Sequence, residues 1–268
     1  MRPLMLTLTT AIVTIVAVAA LWAAPVWADS SLEALRARGS LRVGVKTTVP
    51  PFGSLDAAGR PLGFEIDLAR LFARVLFDSD TKVQFVPVTT ATRFELLKEG
   101  RVDLLVATVT ATDERRSQAE LSDPYFMSAS LILVTRASKV EHLSDLAGRR
   151  IAVVAKSVQQ RDVGELEARA FQVEVASVAD GARAVKSGQV DAFVYDDVEV
   201  LRIAQADPGL RAVGSPIRAR PYAVAARKGD IGLIRWVNGW LARIRRDGSY
   251  GDLWRRYFAP YESRLVGS

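Results

Sequence analysis

"LLKEGRVDLLVA", residues 96–107, is the stretch whose reading decides the fold. It runs from the end of a helical pattern through Gly100 and one polar residue into Val102-Asp103, and then into an apolar run. Such a glycine is a natural left-handed C-cap, and the apolar run has the length of a buried strand. The same phrase returns at residues 184–195 as "AVKSGQVDAFVY", again with a helix end, a glycine, one polar residue, Val-Asp and an apolar strand. A second pair, "GSLRVGV" (39–45) and "GRRIAVV" (148–154), echoes in the same way. Repeats this far apart are too long for a solenoid and fit two similar α/β lobes of about 100 residues each.

Outward from the first phrase, short apolar runs alternate with helical patterns. "LRVGV" (41–45) and "KVQFVPV" (82–88) read as strands. "GFEIDLARLFARVLF" (63–77) has helical spacing, with Ile66, Leu68, Leu71, Phe72, Val75 and Leu76 on one face. "ATRFELLKEG" (91–100) reads as a short helix, and "TDERRSQA" (112–119) opens another. This order argues for an α/β fold with a largely parallel sheet. "LILVTR" (131–136) is expected to carry the chain between the lobes, and "RARPYAVAARKG" (218–229) to bring it back. Two crossings make a hinge with a cleft beside it. The expected division is a leader over 1–28, a first lobe over 29–127 and 222–268, and a second lobe over 128–221.

The leader is read from Arg2, an uncharged apolar run over Leu4 to Ala24, and small or branched residues at Val26 and Ala28. That pattern suits signal-peptide cleavage before Asp29 and a periplasmic location, with an uncleaved membrane anchor as the competing reading. The chain holds no cysteine, which excludes disulfides, thiolate metal sites, a cysteine nucleophile and a lipidated cysteine. The one histidine, His142, makes a poor metal-ligand set, and neither a G-x-S-x-G motif nor a P-loop occurs. No cofactor or metal is expected. The net charge is +6, or +5 once Arg2 leaves with the leader. Its late excess at Arg243, Arg245, Arg246, Arg255 and Arg256 reads as a solvated helical face rather than a nucleic-acid surface, because no stacking aromatics accompany it.

In open α/β sheets the ligand lies beyond the carboxyl ends of the strands, so the residues after each strand matter most. Lys46 follows the first strand, where a half-buried charge is costly without a partner. Thr112 suits an N-cap, with Asp113 and Glu114 in the first turn. Arg115 shares that turn, where helix stability wants no cation. It reads either as a carboxylate site or as a surface arginine paired with Glu114 or Asp123. Asp196 closes the strand of the second repeat, either as an ammonium partner or as a capping aspartate. Ser157 sits near the start of a second-lobe helix. Arg93 lies at a helix start, and on pattern alone it reads as solvated.

Taken together, "GSLRVGV", "PPF", "GRPLGFEIDLARLFA", "LLKEGRVDLLVATVTATDERR", "LSDPYF", "LSDLAGRRIAVV", "SGQVDAFVYD" and "DGSYGDLWRRYF" resemble the periplasmic amino-acid-binding proteins of ABC transporters, the bacterial extracellular solute-binding family 3. The resemblance covers about residues 39 to 259. It implies a two-lobed, Venus-flytrap-like type II fold that closes as a monomer on one free amino acid and serves an inner-membrane ABC permease. It implies that Arg115 binds the α-carboxylate, that the strand-end threonines Thr108, Thr110 and Thr112 assist, and that Asp196 binds the α-ammonium. In the second lobe this chain has Lys156-Ser157-Val158 where many members have a Gly-Thr-Thr-like run. Ser157 keeps a hydroxyl contact there, and Val158 loses one. Many members also stack an aromatic on the ligand just after the first strand; the equivalent here is Val49, with Phe52 the nearest aromatic. Lys46 together with Arg93 resembles the aspartate/glutamate-binding branch, where these cations hold the side-chain carboxylate.

Charge accounting supports that branch. Three cations and Asp196 leave a surplus of two positive charges, which an acidic amino acid lowers to one and a neutral one does not. Asp197, Asp56 or Glu65 would offset the surplus if they face the cleft. The expectation is therefore capture of L-aspartate or L-glutamate, without catalysis. The alternatives are a binder of another polar or neutral amino acid, and a dehydratase of prephenate or arogenate on the same architecture.

Overall fold

The structure, a computed structural model, describes residues 30–265, so the leader reading of residues 1–28 lies outside it. After α1 (Ser30–Arg38) the chain enters β1 (Leu41–Val45), a small hairpin of β2 (Ser54–Leu55) and β3 (Pro61–Leu62), and then α2 (Phe64–Phe77). β4 (Val83–Pro87), α3 (Arg93–Lys98), β5 (Leu104–Leu105) and α4 (Asp113–Gln118) complete the first half. The long strand β6 (Ala119–Thr135) leads into β7 (Arg150–Val154), α5 (Val158–Leu166), β8 (Phe171–Val175), α6 (Val178–Lys186), β9 (Ala192–Asp196) and α7 (Asp197–Ala206). A second long strand, β10 (Leu210–Arg227), returns to α8 (Ile231–Arg246) and α9 (Ser249–Phe258).

One eight-stranded sheet runs in the order β4-β1-β5-β10-β6-β9-β7-β8. β1 lies parallel to β4 and β5, and β7 lies parallel to β8 and β9. Each half is therefore a βαβαβ unit, as the repeats predict. Between the halves, β6 and β10 pair antiparallel from Thr135↔Leu210 to Ala119↔Arg227. Register shifts between Val213 and Ile217, and again between Tyr222 and Ala225, interrupt this ribbon, and such bulges let a strand bend.

The repeated phrase has a hydrogen-bonded cause. Asp103 accepts from the backbone N–H of Arg42 at 2.8 Å, and its own N–H bonds the Arg42 carbonyl at 2.8 Å. Asp191 does the same with Arg150, at 2.8 Å in both directions. Gly100 and Gly188 precede them with φ of 70° and 74°. In each half, the Val-Asp pair starts the central strand in register beside the first one. The buried carboxylate of Asp103 also takes the Arg42 guanidinium at 2.8 Å.

The crossing differs from the sequence expectation in one respect. Leu131 to Leu133 of "LILVTR" already pair with β9, so the chain has changed halves upstream of Ser130. Its apolar character reflects a central strand of the second half rather than a hinge. "RARPYAVAARKG" does span the return, since it pairs with β6 at Arg220 to Tyr222 and with β5 at Ala225 and Ala226. The crossing strands are anchored by aromatic packing. Phe126 on β6 stacks against Tyr222 on β10 at 5.8 Å, and Phe52 and Phe258 close on Phe126 at 5.1 and 4.7 Å.

The two aspartates of the repeat differ in burial, with 5% of the Asp103 side chain exposed against 32% for Asp191. Asp103→Ala is expected to destabilise by about 3 kcal/mol, because it strands a buried N–H and a guanidinium, whereas Asp191→Ala costs about 1 kcal/mol. Urea unfolding midpoints of the two variants check the ordering. Equal losses would contradict it.

Candidate functional site

Lys46 is delivered by β1 and held by the loop that follows. Val49 and Gly53 exchange hydrogen bonds of 2.9 and 3.1 Å, which folds the chain back over Lys46. A Cβ on Gly53 would lie 1.9 Å from the Lys46 carbonyl oxygen, so only glycine permits this approach. The Lys46 ammonium donates to the Tyr195 hydroxyl of the other half at 3.2 Å. Burial lowers its pKa to about 8, helped by Arg93 and opposed by Asp196, Glu199 and Glu65.

The strand end after β5 forms the first-half floor. Thr108 is left-handed, with φ of 47°, an unfavourable conformation for a β-branched residue. Its N–H donates to Glu65 Oε1 at 2.6 Å, and the Tyr125 hydroxyl donates to the same oxygen. Arg93 Nη1 donates to the carbonyls of Ala107 at 2.5 Å and Thr108 at 3.0 Å. The carboxylate in front and the guanidinium behind hold the strained residue in place. Glu65 Oε2, Thr108 Oγ1 and Arg93 Nε are buried without a hydrogen-bond partner. Arg93 is thus no solvated helix residue.

Arg115 is positioned by α4. Thr112 caps that helix by accepting from the Arg115 N–H at 3.2 Å. The Arg115 guanidinium donates to the Thr110 carbonyl at 2.8 Å and lies 5.8 Å from the ring centre of Phe94. The surface reading fails here, because Glu114 pairs instead with Arg161 across the cleft at 3.1 Å. Burial, and next the Arg93 cation, disfavours charge on Arg115. A carboxylate beside it would relieve both.

In the second half, Asp196 ends β9 at the N-terminus of α7 without making a side-chain capping bond. Its carboxylate accepts from Gln159 Nε2 at 2.7 Å, and the same amide reaches Ser130 Oγ at 3.0 Å. Ser157 caps α5 through the Gln160 N–H at 3.2 Å. Asp197 faces β6, accepting from Ser128 Oγ at 2.9 Å and Ala129 N–H at 3.1 Å, and burial raises its pKa to about 6. Glu199 is fully buried with both carboxyl oxygens unpartnered, and burial followed by the Asp196 charge pushes it well above the carboxylate range.

Lys46, Arg93, Arg115 and Asp196 are only 5%, 2%, 8% and 7% exposed. They form one electrostatic group, since Asp196 acts on all three cations. Arg115, Thr112 and Ser157 line a cavity of about 370 Å³ between the halves, with Lys156 and Arg161 also in its wall. Lys46 lines a smaller one of about 50 Å³ with Val49 and Tyr195. Arg93, Thr108, Thr110 and Asp196 line neither of these two cavities and are buried at the strand ends. Phe52 belongs to the aromatic core, away from any stacking position, and Asp56 is occupied in its own turn with Arg60. Of the three carboxylates weighed as charge offsets, Glu65 is the one that acts on Lys46 and Arg93. Gln159 and Tyr195 escaped sequence reading. Gln159 stands two residues past the Ser157 cap, a spacing that signals it only once Asp196 is known to lie opposite.

Residues 41–260 match the family model described as bacterial extracellular solute-binding proteins, family 3. The chain is 31% identical over 229 residues to the ABC transporter glutamine-binding protein of Bacillus subtilis (strain 168), covering 85% of this chain and 84% of that one. The solved structure of a solute receptor for L-cysteine of Neisseria gonorrhoeae superposes with a TM-score of 0.84 at 26% identity, covering 88% of this chain and 97% of that one. An ancestral amino-acid-binding protein described as a precursor of cyclohexadienyl dehydratase superposes with a TM-score of 0.79 at 32% identity, covering 85% of this chain and all of that one (100%). The architecture is accordingly the two-lobed, periplasmic-binding-protein-like α/β fold. Among the described residues no helix is long and apolar enough to cross a membrane.

Glu65→Ala is expected to lower stability by about 3 kcal/mol, because it unpairs the Thr108 N–H and the Tyr125 hydroxyl in a buried site. Glu65→Gln keeps an acceptor and loses less. Chemical denaturation of both variants measures the difference. A neutral Glu65→Ala would mean that Thr108 does not depend on it.

Proposed function

The chain belongs to the bacterial extracellular solute-binding proteins, family 3, and we propose that it captures one free amino acid between its lobes for an ABC transporter permease. The observation that carries this reading is the buried group of Arg115 and Asp196, contributed by opposite halves. A zwitterionic ligand satisfies both at once, its α-carboxylate on Arg115 and its α-ammonium on Asp196. Thr108 offers its unpartnered hydroxyl. Thr110, Thr112 and Ser157 contribute chiefly by holding Arg115 and the two helix starts. Arg93 supports the Thr108 turn from behind and adds positive charge.

The ligand we propose is L-aspartate or L-glutamate, with Lys46 addressing its side-chain carboxylate. Lys46, Arg93 and Arg115 face Asp196 and Glu65. Burial raises the carboxyls of Asp196, Glu65 and Glu199; hydrogen bonds and the Lys46 and Arg93 cations oppose it at Asp196 and Glu65, which are counted as charged, and Glu199, pushed well above the carboxylate range, is counted as neutral. The surplus is one positive charge, which an acidic amino acid cancels. Glu65 thus halves the surplus that the sequence alone suggested. Glutamine is the second reading, supported by the ligand named for the Bacillus subtilis relative. Binding without catalysis is proposed, since the dehydratase alternative draws only on the descent named for one structural neighbour. The lobes are proposed as 29–127 with 222–268 and 128–221, the protein as a periplasmic monomer, and residues 1–28 as its signal peptide.

Thermal-shift measurements over the common amino acids should show the largest stabilisation with aspartate or glutamate. Robust binding of arginine or lysine alone would contradict the reading. Lys46→Ala should weaken glutamate binding roughly tenfold or more and glutamine binding less, as loss of one charge-assisted bond requires. The pH dependence follows from the Lys46 value of about 8. As pH rises through that value the free protein loses the ammonium, so affinity for the acid falls relative to affinity for the amide. A flat acid-to-amide ratio to pH 9.5 would remove Lys46 from the site.

A further inference from the structure

We infer that Tyr195 is a specificity-determining residue that positions the Lys46 ammonium for the ligand side chain, through a contact made between the two halves. The inference rests on the reading of Lys46 given above. Lys46 stands on the first half and Tyr195 on the second, and their 3.2 Å contact joins the two. A lysine ammonium sits on a flexible four-carbon stem and carries three donors, so its direction is set by what it meets. One donor goes to the phenol oxygen. The other two remain, and a side-chain carboxylate has oxygens for both.

Tyr195 is itself held rigidly. Its ring stacks on Phe193 with centroids 5.5 Å apart and an interplanar angle of 11°. The two residues are i, i+2 neighbours on one face of β9. Phe193 in turn rests on α6 at Gly181, where a Cβ would come within 2.5 Å of its ring. An alanine at 181 would push Phe193, and through the stack Tyr195, off its place. The order Gly181, Phe193, Tyr195, Lys46 is a continuous run of packed contacts from a second-half helix to the cleft. Tyr195 is 2% exposed, and burial pushes its phenol well above the ordinary tyrosine value. The hydroxyl therefore stays protonated and accepts from Lys46 as a neutral group.

The test is a double-mutant cycle with Tyr195→Phe and Lys46→Ala, read by calorimetric titration with L-glutamate and L-glutamine. Tyr195→Phe keeps the stack on Phe193 and removes only the hydroxyl, so the fold is preserved, and an unchanged unfolding midpoint checks this. The expected result is roughly tenfold weaker glutamate binding, less than about a twofold change for glutamine, and no further loss in the Lys46→Ala background. The pH at which glutamate affinity falls should also move down in Tyr195→Phe, because the ammonium loses an acceptor that favours it. If Lys46→Ala discriminates the two ligands but Tyr195→Phe affects them equally, or adds fully to Lys46→Ala, the inference is overturned while the Lys46 reading stands. If Lys46→Ala does not discriminate, both fall together.

Discussion

Three cations buried in one place are the constraint on which the rest of the site depends. Lys46, Arg93 and Arg115 are each almost out of water, and burial works against the charge on every one of them. Such an arrangement persists only when carboxylates and carbonyls face it from several directions. Glu65 comes from α2, the carbonyls of Ala107, Thr108 and Thr110 from the turn after β5, and Asp196 from the other half. The compensation is incomplete within the protein. Part of it is supplied by Asp196 from the second half, and on the proposed function the remainder is supplied by the ligand.

The sheet joins the two halves, which meet through the antiparallel ribbon of β6 and β10. Phe126 and Tyr222 fix that ribbon to the aromatic core of the first half. Asp197 fixes the start of α7 to β6 through Ser128 and Ala129. Asp162, on α5, is clasped by Arg218 and Arg220 of β10. The segments carrying Asp196 and Gln159 are thus tied to the hinge strands by buried carboxylates.

The fold was legible because its repeat is a hydrogen-bonding device. Val-Asp after a glycine cap recurs because each aspartate must bond the backbone of a neighbouring first strand, at Arg42 and Arg150. Such a requirement leaves a residue-level mark. At the strand ends Lys46 and Arg115 stand out as charges where local stability does not ask for them, whereas Asp196 reads on pattern alone as a capping aspartate and its side chain makes no capping bond. What could not be read is what depends on a partner distant in sequence. Tyr195 reads as one more apolar strand residue until Lys46 is placed opposite it, and Glu65, legible as one of three possible charge offsets, shows its hydrogen bond only once Thr108 turns left-handed beside it. "LILVTR" misled because an apolar run marks burial, and a central strand is as buried as a crossing is bent.

The central claim is that both ends of a zwitterion and its side-chain carboxylate are recognised at once by opposite lobes. A crystal structure with the tightest-binding amino acid tests it most directly. The account predicts the α-carboxylate on Arg115, the α-ammonium on Asp196 and the side-chain carboxylate within about 3 Å of Lys46 Nζ, the distance of a charge-assisted hydrogen bond. A ligand bound with its side chain turned away from Lys46, or with no contact to Asp196, would contradict it.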